Sequence, residues 1–446
     1  MSIPFGFTPS DDANQDLKQF FENLTNMMRT GATQSTGPVD WNAAQQSSSA
    51  VLKATVAVEI APTFQQQAET ATNLADLWLN EATALPSGGE KCVLLTREKW
   101  ITETLLAWQE LVDPVAHGLS KAMSTIIPHD IDAGSMSIPP EILEQLPPEV
   151  AAQIEQMISS GNLNDLLGPV MDMAKSMGAT LFGNQFGNGL GTMATKVLSA
   201  TDVGIPLTTS RNPSFIACNV QEFSDGLGLD LSDVLIYLAL RELAHQRLFT
   251  AAPWLQSHIQ SAMATYAAGV QIDTSAIEQA LSDVDPTDID AVNNALSGDL
   301  FIESRTPEQE SALARLELLI ALIESWVTVV VTDAVANRLP ISDALAETLR
   351  RRRASGGPAE KFFEGIIGLE IRPRKIREAA AIWQQLTTKL GTLQRDSIWS
   401  HPDLMPTSTD LEDIDLFINN MSHDLMSDLQ KVIDDEVITD SDNDLN

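Results

Sequence analysis

Wound as a helix, the segment from Leu313 to Ala336 is apolar on nearly every side. A helix of that kind is stable only when other elements wrap it completely. It therefore dictates a fold built around a core helix. Glu324 and Ser325 interrupt its longest apolar stretch, Leu318 to Val331, and no uninterrupted run in the chain reaches the ~18 residues of a membrane span. Glu317 and Glu324 lie on roughly one face of this helix. A buried carboxylate without a partner costs several kcal/mol, so it is protonated, paired or metal-bound. Glu324, between Ile323 and Trp326, is the stronger candidate for burial.

The rest of the chain must supply the wrapping. Hydrophobic residues make up 43% and aromatics only 5%, with Ala and Leu recurring throughout. That balance favours helices, so the fold is expected to be mainly α. Residues 1–48, rich in Ser, Thr, Gln and Asn, read as a mobile arm with one amphipathic helix from Asp16 to Arg29. Residues 49–420 read as one helical domain, long enough for two packed subdomains. Residues 421–446 read as an acidic tail. Helices are expected over Ser49–Leu85, Thr96–Ile127, Ser232–Phe249, Thr306–Leu339, Ser342–Arg353 and Lys375–Leu390, with an acidic helical excursion over Asp273–Ser297. Between Ile205 and Val220, apolar pieces flank the turn signal Ser210-Arg211-Asn212-Pro213, which predicts a short β-hairpin before the Ser232 helix. Gly183, Gly187, Gly189 and Gly191 recur without the Gly-Lys-Ser/Thr of a phosphate loop, so they read as a close helix–helix approach.

Charge narrows the function. Against 61 acidic residues stand 27 basic ones, for a net charge of −34. This argues against general nucleic-acid binding and against anionic membranes, both of which need positive charge. Cys92 and Cys218 read as reduced, packed thiols. Met1 to Phe7 has neither the basic nor the apolar region of a signal peptide, so a cytoplasmic location is expected. One basic cluster stands out: Arg350 to Arg353, with Arg372, Arg374, Lys375 and Arg377. It pairs with the chain's own carboxylates or binds a phosphate or acidic peptide.

The chemistry concentrates in Leu240-Arg241-Glu242-Leu243-Ala244-His245. This has the shape of HExxH, where two imidazoles on one helix face bind Zn²⁺ and the Glu activates water. Here Arg241 stands at the first imidazole, and a guanidinium has no lone pair for a metal. On the Ser232–Phe249 helix, Val234, Leu238, His245, Leu248 and Phe249 form an apolar stripe flanked by Arg241 and Glu242, so His245 points inward. Two arrangements are open. In one, His245 and Glu324 hold zinc, with His258 or His117 filling in for the missing ligand. In the other, Arg241 takes the place of the metal and pairs with Glu324, Glu242 or both. The second is favoured, because a guanidinium repels a nearby divalent cation.

Several segments carry a family resemblance: Leu181 to Gly187, Tyr237 to Phe249, Pro253-Trp254-Leu255, Leu319 to Val327, Gly356 to Lys361, Arg377 to Trp383 and His401 to Leu404. Through them, roughly residues 50–420 resemble the actinobacterial zincin-like hydrolases, also labelled zinc-dependent metalloproteases. The resemblance implies a mostly helical zincin-like fold and a peptide or protein substrate. It implies Glu242 as general base and His245 and Glu324 as zinc ligands. The expectation is a metal-dependent hydrolase of the peptidase class with a degenerate metal motif. The alternative is a binding or scaffold protein derived from the same fold, with Arg241 in place of the metal.

Overall fold

The computed structural model describes residues 37–88, 91–126, 163–208, 210–269, 305–354, 356–367, 371 and 375–422. The expected helices at Asp16–Arg29 and Asp273–Ser297, Arg372, Arg374 and the chain beyond 422 lie outside these residues. In chain order the elements are α1 (Trp41–Lys53), α2 (Phe64–Ala82), β1 (Val93–Leu95), α3 (Arg97–Ile126), α4 (Leu163–Ala194), β2 (Ser214–Ile216), α5 (Ala217–Leu227), α6 (Leu231–Ala251), α7 (Trp254–Ala268), α8 (Pro307–Val335), α9 (Ser342–Ala354), α10 (Pro358–Ile367) and α11 (Ile376–Ser397). The fold is mainly α, as composition dictates.

Helix α8 is the core helix that its apolar surface demands. Thr306 opens it with a capping box: its hydroxyl accepts from Gln309 N at 3.3 Å, and the Gln309 side chain accepts from Thr306 N at 3.0 Å. Pro307 occupies the first turn, where a missing N–H costs nothing. Its N-terminal half, through Leu316 and Ile320, belongs to one hydrophobic core shared with α1, α3, α4 and α7. Its C-terminal half, through Leu322, Trp326 and Val330, belongs to a second core shared with α2, α6 and α11. By length and composition α8 is apolar enough to cross a membrane, but 72% of that window is buried inside the fold. Glu324 sits near the join of the two cores.

Some expectations change in detail. The helix expected from Ser49 to Leu85 is two helices, parted around Pro62, which offers no backbone donor. The first begins at Trp41, capped by Asp40 at 3.0 Å from Asn42 N, so it starts inside the stretch read as an arm. The glycine-rich segment is part of the long helix α4, and its glycines make the expected close approach. A methyl group at Gly183 or Gly187 would collide with the carbonyls of Asp40 and Ala44 in α1. The strand expected before the motif helix is present as β2. Its ladder partner is β1, running parallel, with Val93 opposite Ser214 and Leu95 opposite Ile216. The local return of the chain is a single antiparallel bridge, Ser199 to Phe215.

Candidate functional site

Helix α6 starts at an N-cap, Asp230, whose side chain accepts from Ser232 N at 2.7 Å. Most of its length is buried, His245 and Glu242 included. His245 Nδ1 lies 2.9 Å from the Arg241 carbonyl one turn back. Its Nε2 lies 3.1 Å from Glu324 Oε1 on α8. The sequence thus correctly brings His245 and Glu324 together across two helices. Glu317, the acid seven residues earlier on α8, is only half-buried. His117 and His258 are exposed, their Nδ1 atoms against the carbonyls of Asp113 and Trp254, and are not drawn into the site.

Glu324 is held by more than the imidazole. Arg241 Nη2 donates to its Oε2 at 2.7 Å. Arg353, from the end of α9, approaches its Oε1 at 2.7 Å. Glu324 is 3% exposed. Burial by itself raises a carboxyl's pKa; Arg353, Arg241 and His245 override it and hold Glu324 well below the usual carboxylate range. Burial opposes the charge of Arg241 too, and Glu324, Tyr237 and Asp202 more than restore it, so its pKa is raised. Both ring nitrogens of His245 face oxygens that only accept, the Arg241 carbonyl and the ionised Glu324.

A loop completes this cage. Asp202 Oδ2 accepts from Leu198 N at 2.9 Å and from Arg352 Nη1 at 3.2 Å. Arg353 Nη2 donates to the Asp202 carbonyl at 2.9 Å. Burial would raise Asp202, but Arg352 and Arg353 beside it leave its pKa lowered. Gly204 follows at φ 82°, and a Cβ there would lie 2.5 Å from Glu324 Oε1. Only glycine allows both this left-handed backbone and this approach. The four arginines that end α9 are thereby placed. Arg350 and Arg351 pair with Glu347 on the surface, while Arg352 and Arg353 reach into the site. Sequence reading placed Arg353 in the cluster but not on Glu324, and it missed Asp202 and Gly204. The Asp-Val-Gly step is the only local signal.

Glu242 faces elsewhere. It is 0% exposed. Its Oε2 accepts from Thr201 N at 3.1 Å and Thr201 Oγ1 at 2.5 Å. Its Oε1 accepts from Ser214 N at 3.3 Å and Gln246 Nε2 at 2.8 Å. Three of these donors tie the acid to the 199–202 turn and to β2, and the fourth, Gln246, lies one turn along its own helix.

The donor set can be tested against zinc. An imidazole anchored through Nδ1 on a carbonyl, with Nε2 facing a carboxylate, is the posture of a metal-binding histidine. A catalytic zinc needs a third protein ligand and an open position. Among the described residues no group of three or more His, Cys, Asp or Glu is placed to hold a metal. Two guanidinia occupy Glu324 instead, and neither has a lone pair to offer. The residues present do not fit the ion.

Fold and site together define a class: a helical protein in which a zincin-type motif helix opposes a second helix carrying a buried glutamate. Residues 39–418 match the family model of the zincin-like metallopeptidases, and the chain belongs to that family. None of the curated proteins matches. Among solved structures, the chain is similar to a candidate hydrolase with a novel fold from Chloroflexus aurantiacus. The TM-score is 0.54 at 18% identity, covering 86% of this chain and 99% of that one. At that identity the likeness is one of fold.

Proposed function

We propose that this protein is a metal-free member of its family. Its ancestral metal position is filled by a fixed ion cage, and it works as a binding or scaffold protein rather than as a peptidase. One observation carries the reading: the Glu324 carboxylate is clamped by two guanidinia, Arg241 and Arg353, each at 2.7 Å. A divalent cation placed beside Glu324 would face two permanent positive charges at close range. The cage supplies what a structural metal supplies, a positive centre that holds helices α6, α8 and α9 together. Glu242 supports the same reading, since a base already bonded to four donors and shut away from solvent has no free lone pair for a substrate water.

The test is metal analysis of the purified full-length chain, with a peptide-hydrolysis assay run on the same sample. The expected result is substoichiometric zinc and no cleavage above background, with thermal stability unchanged by a chelator. Stoichiometric zinc that disappears in both His245→Ala and Glu324→Ala would overturn the reading. The metallopeptidase reading keeps one specific support, the 3.1 Å approach of His245 Nε2 to Glu324 Oε1, and the same measurement decides between the two.

A further inference from the structure

The fold divides the four consecutive arginines that end α9. Arg352 and Arg353 turn toward Asp202 and Glu324, with side chains 23% and 20% exposed. Arg350 and Arg351 stand in solvent, at 60% and 80%. The inward pair fixes the last turn of α9 against the cage. The outward pair is therefore carried on a held backbone, which lowers the ordering cost of any contact it makes.

Glu347, one turn earlier, sits against both outward arginines. Arg350 Nη1 lies 2.6 Å from its Oε2, and Arg351 Nε lies 2.6 Å from its Oε1. One carboxylate thus serves two guanidinia. A guanidinium carries more N–H donors than one carboxylate oxygen can take, so both keep donors for a second carboxylate. Arg377, exposed in the first turn of α11, acts electrostatically on the same Glu347 and makes no ion pair among the described residues. Even with Glu378 next to Arg377, positive charge is in surplus on this face. The residues that join α10 to α11 carry Arg372, Arg374 and Lys375 against Glu370, so the sequence beside Arg377 adds positive charge rather than cancelling it. In a chain of net charge −34, such a face is the exception.

We propose that the outer face of α9, with the start of α11, docks a short acidic peptide segment of a partner protein. The segment's carboxylates pair with the remaining donors of Arg350 and Arg351 and with Arg377. Glu347 already displays the chemistry, since a carboxylate is the group these guanidinia take here. A short segment fits better than an extended polyanion. Nucleic acid or an anionic membrane would run past the patch onto a surface of its own sign. The proposal gives the binding reading above a kind of partner. It uses no contact of the Glu324 cage, so it stands or falls separately from the metal analysis.

Fluorescence anisotropy of the full-length chain with labelled hexaglutamate tests this. A Gly-Ser peptide of equal length, inorganic phosphate and phosphatidylserine vesicles serve as comparison probes. Hexaglutamate is expected to bind saturably at low salt and to weaken as salt rises. The combined variant Arg350→Ala, Arg351→Ala, Arg377→Ala should bind it about tenfold more weakly or worse, equivalent to about 1.4 kcal/mol. Arg351→Glu alone should act in the same direction. All three side chains are exposed, so circular dichroism should be unchanged. A control variant, Lys53→Ala, Lys99→Ala, Arg315→Ala, alters net charge equally at exposed positions on other elements and should bind like the wild type. Absence of saturable hexaglutamate binding overturns the proposal. A loss no larger in the α9–α11 variant than in the control overturns its location. Phosphate or vesicles bound in preference to hexaglutamate overturns the class of partner.

Discussion

At the scale of single residues, Glu324 is where the energetics concentrate. Glu324→Ala leaves two partly buried guanidinia around an empty position, and breaking a fully buried pair costs about 3–5 kcal/mol, which sets the upper end of the expected loss. Urea denaturation of the variant should show a loss of that order. The sign of the pH effect follows from the depressed carboxyl. Glu324 sits well below its ordinary 4.5 in the folded state. Its contribution is therefore complete above about pH 4.5 and lost as pH falls from there toward the folded-state value. Melting temperatures measured from pH 6 to pH 3 should fall for the wild type, and Glu324→Gln should flatten that fall; an equally steep fall in the variant would assign the acid limb to other carboxylates. Gly204 belongs to the same unit. Gly204→Ala combines a left-handed φ with a clash on Glu324 Oε1 and should cost about 1–3 kcal/mol, read by the same denaturation. The sequence disclosed the imidazole and the acid because both interrupt apolar helices, where a polar side chain must find a partner. It did not disclose Arg353, since four adjacent arginines look alike until α9 is placed and its last turn points two of them inward.

At the scale of elements, periodicity carried most of the information. Helices α3, α6 and α9 lie within a few residues of where pattern and caps put them, because each presents an apolar stripe and a clear start or stop. The α1–α2 break was hidden by continuous helical composition across Pro62. Parallel pairing of β1 with β2 joins segments about 120 residues apart by numbering, and no local signal records such a pairing. The α1–α4 contact was legible as a principle, small residues permitting close approach, but its partner was not. That contact makes a sharp prediction. Gly187→Ala places a methyl group against the Ala44 carbonyl, and backbone on a packed helix cannot yield as a side chain does. Overpacking of this kind costs about 1–3 kcal/mol, whereas Gly226→Ala, with open space around it, should be neutral or stabilising. Chemical denaturation of the two variants side by side measures the difference.

At the scale of the whole molecule, one helix connects two cores and carries the cage at their join, so the absence of a fitting metal site among the described residues has a structural counterpart. If positive charge at this point is what the fold requires, the guanidinia and a metal are exchangeable solutions. The argument then predicts what restores metal binding. Arg241→His alone recreates the two-histidine spacing of HExxH but leaves Arg353 on Glu324 Oε1, and it should bind zinc weakly or not at all. Arg241→His combined with Arg353→Ala removes both fixed cations and supplies a third ligand, so it should take up zinc near stoichiometry and gain thermal stability in its presence. Even then no peptide cleavage is expected, because Glu242 remains tied to Thr201, Ser214 and Gln246. Metal analysis, melting curves with and without zinc, and a peptide assay on the double variant read the three consequences separately. Zinc bound without stabilisation would break the equivalence between cage and metal, and cleavage would show that Glu242 is freer than its four donors imply.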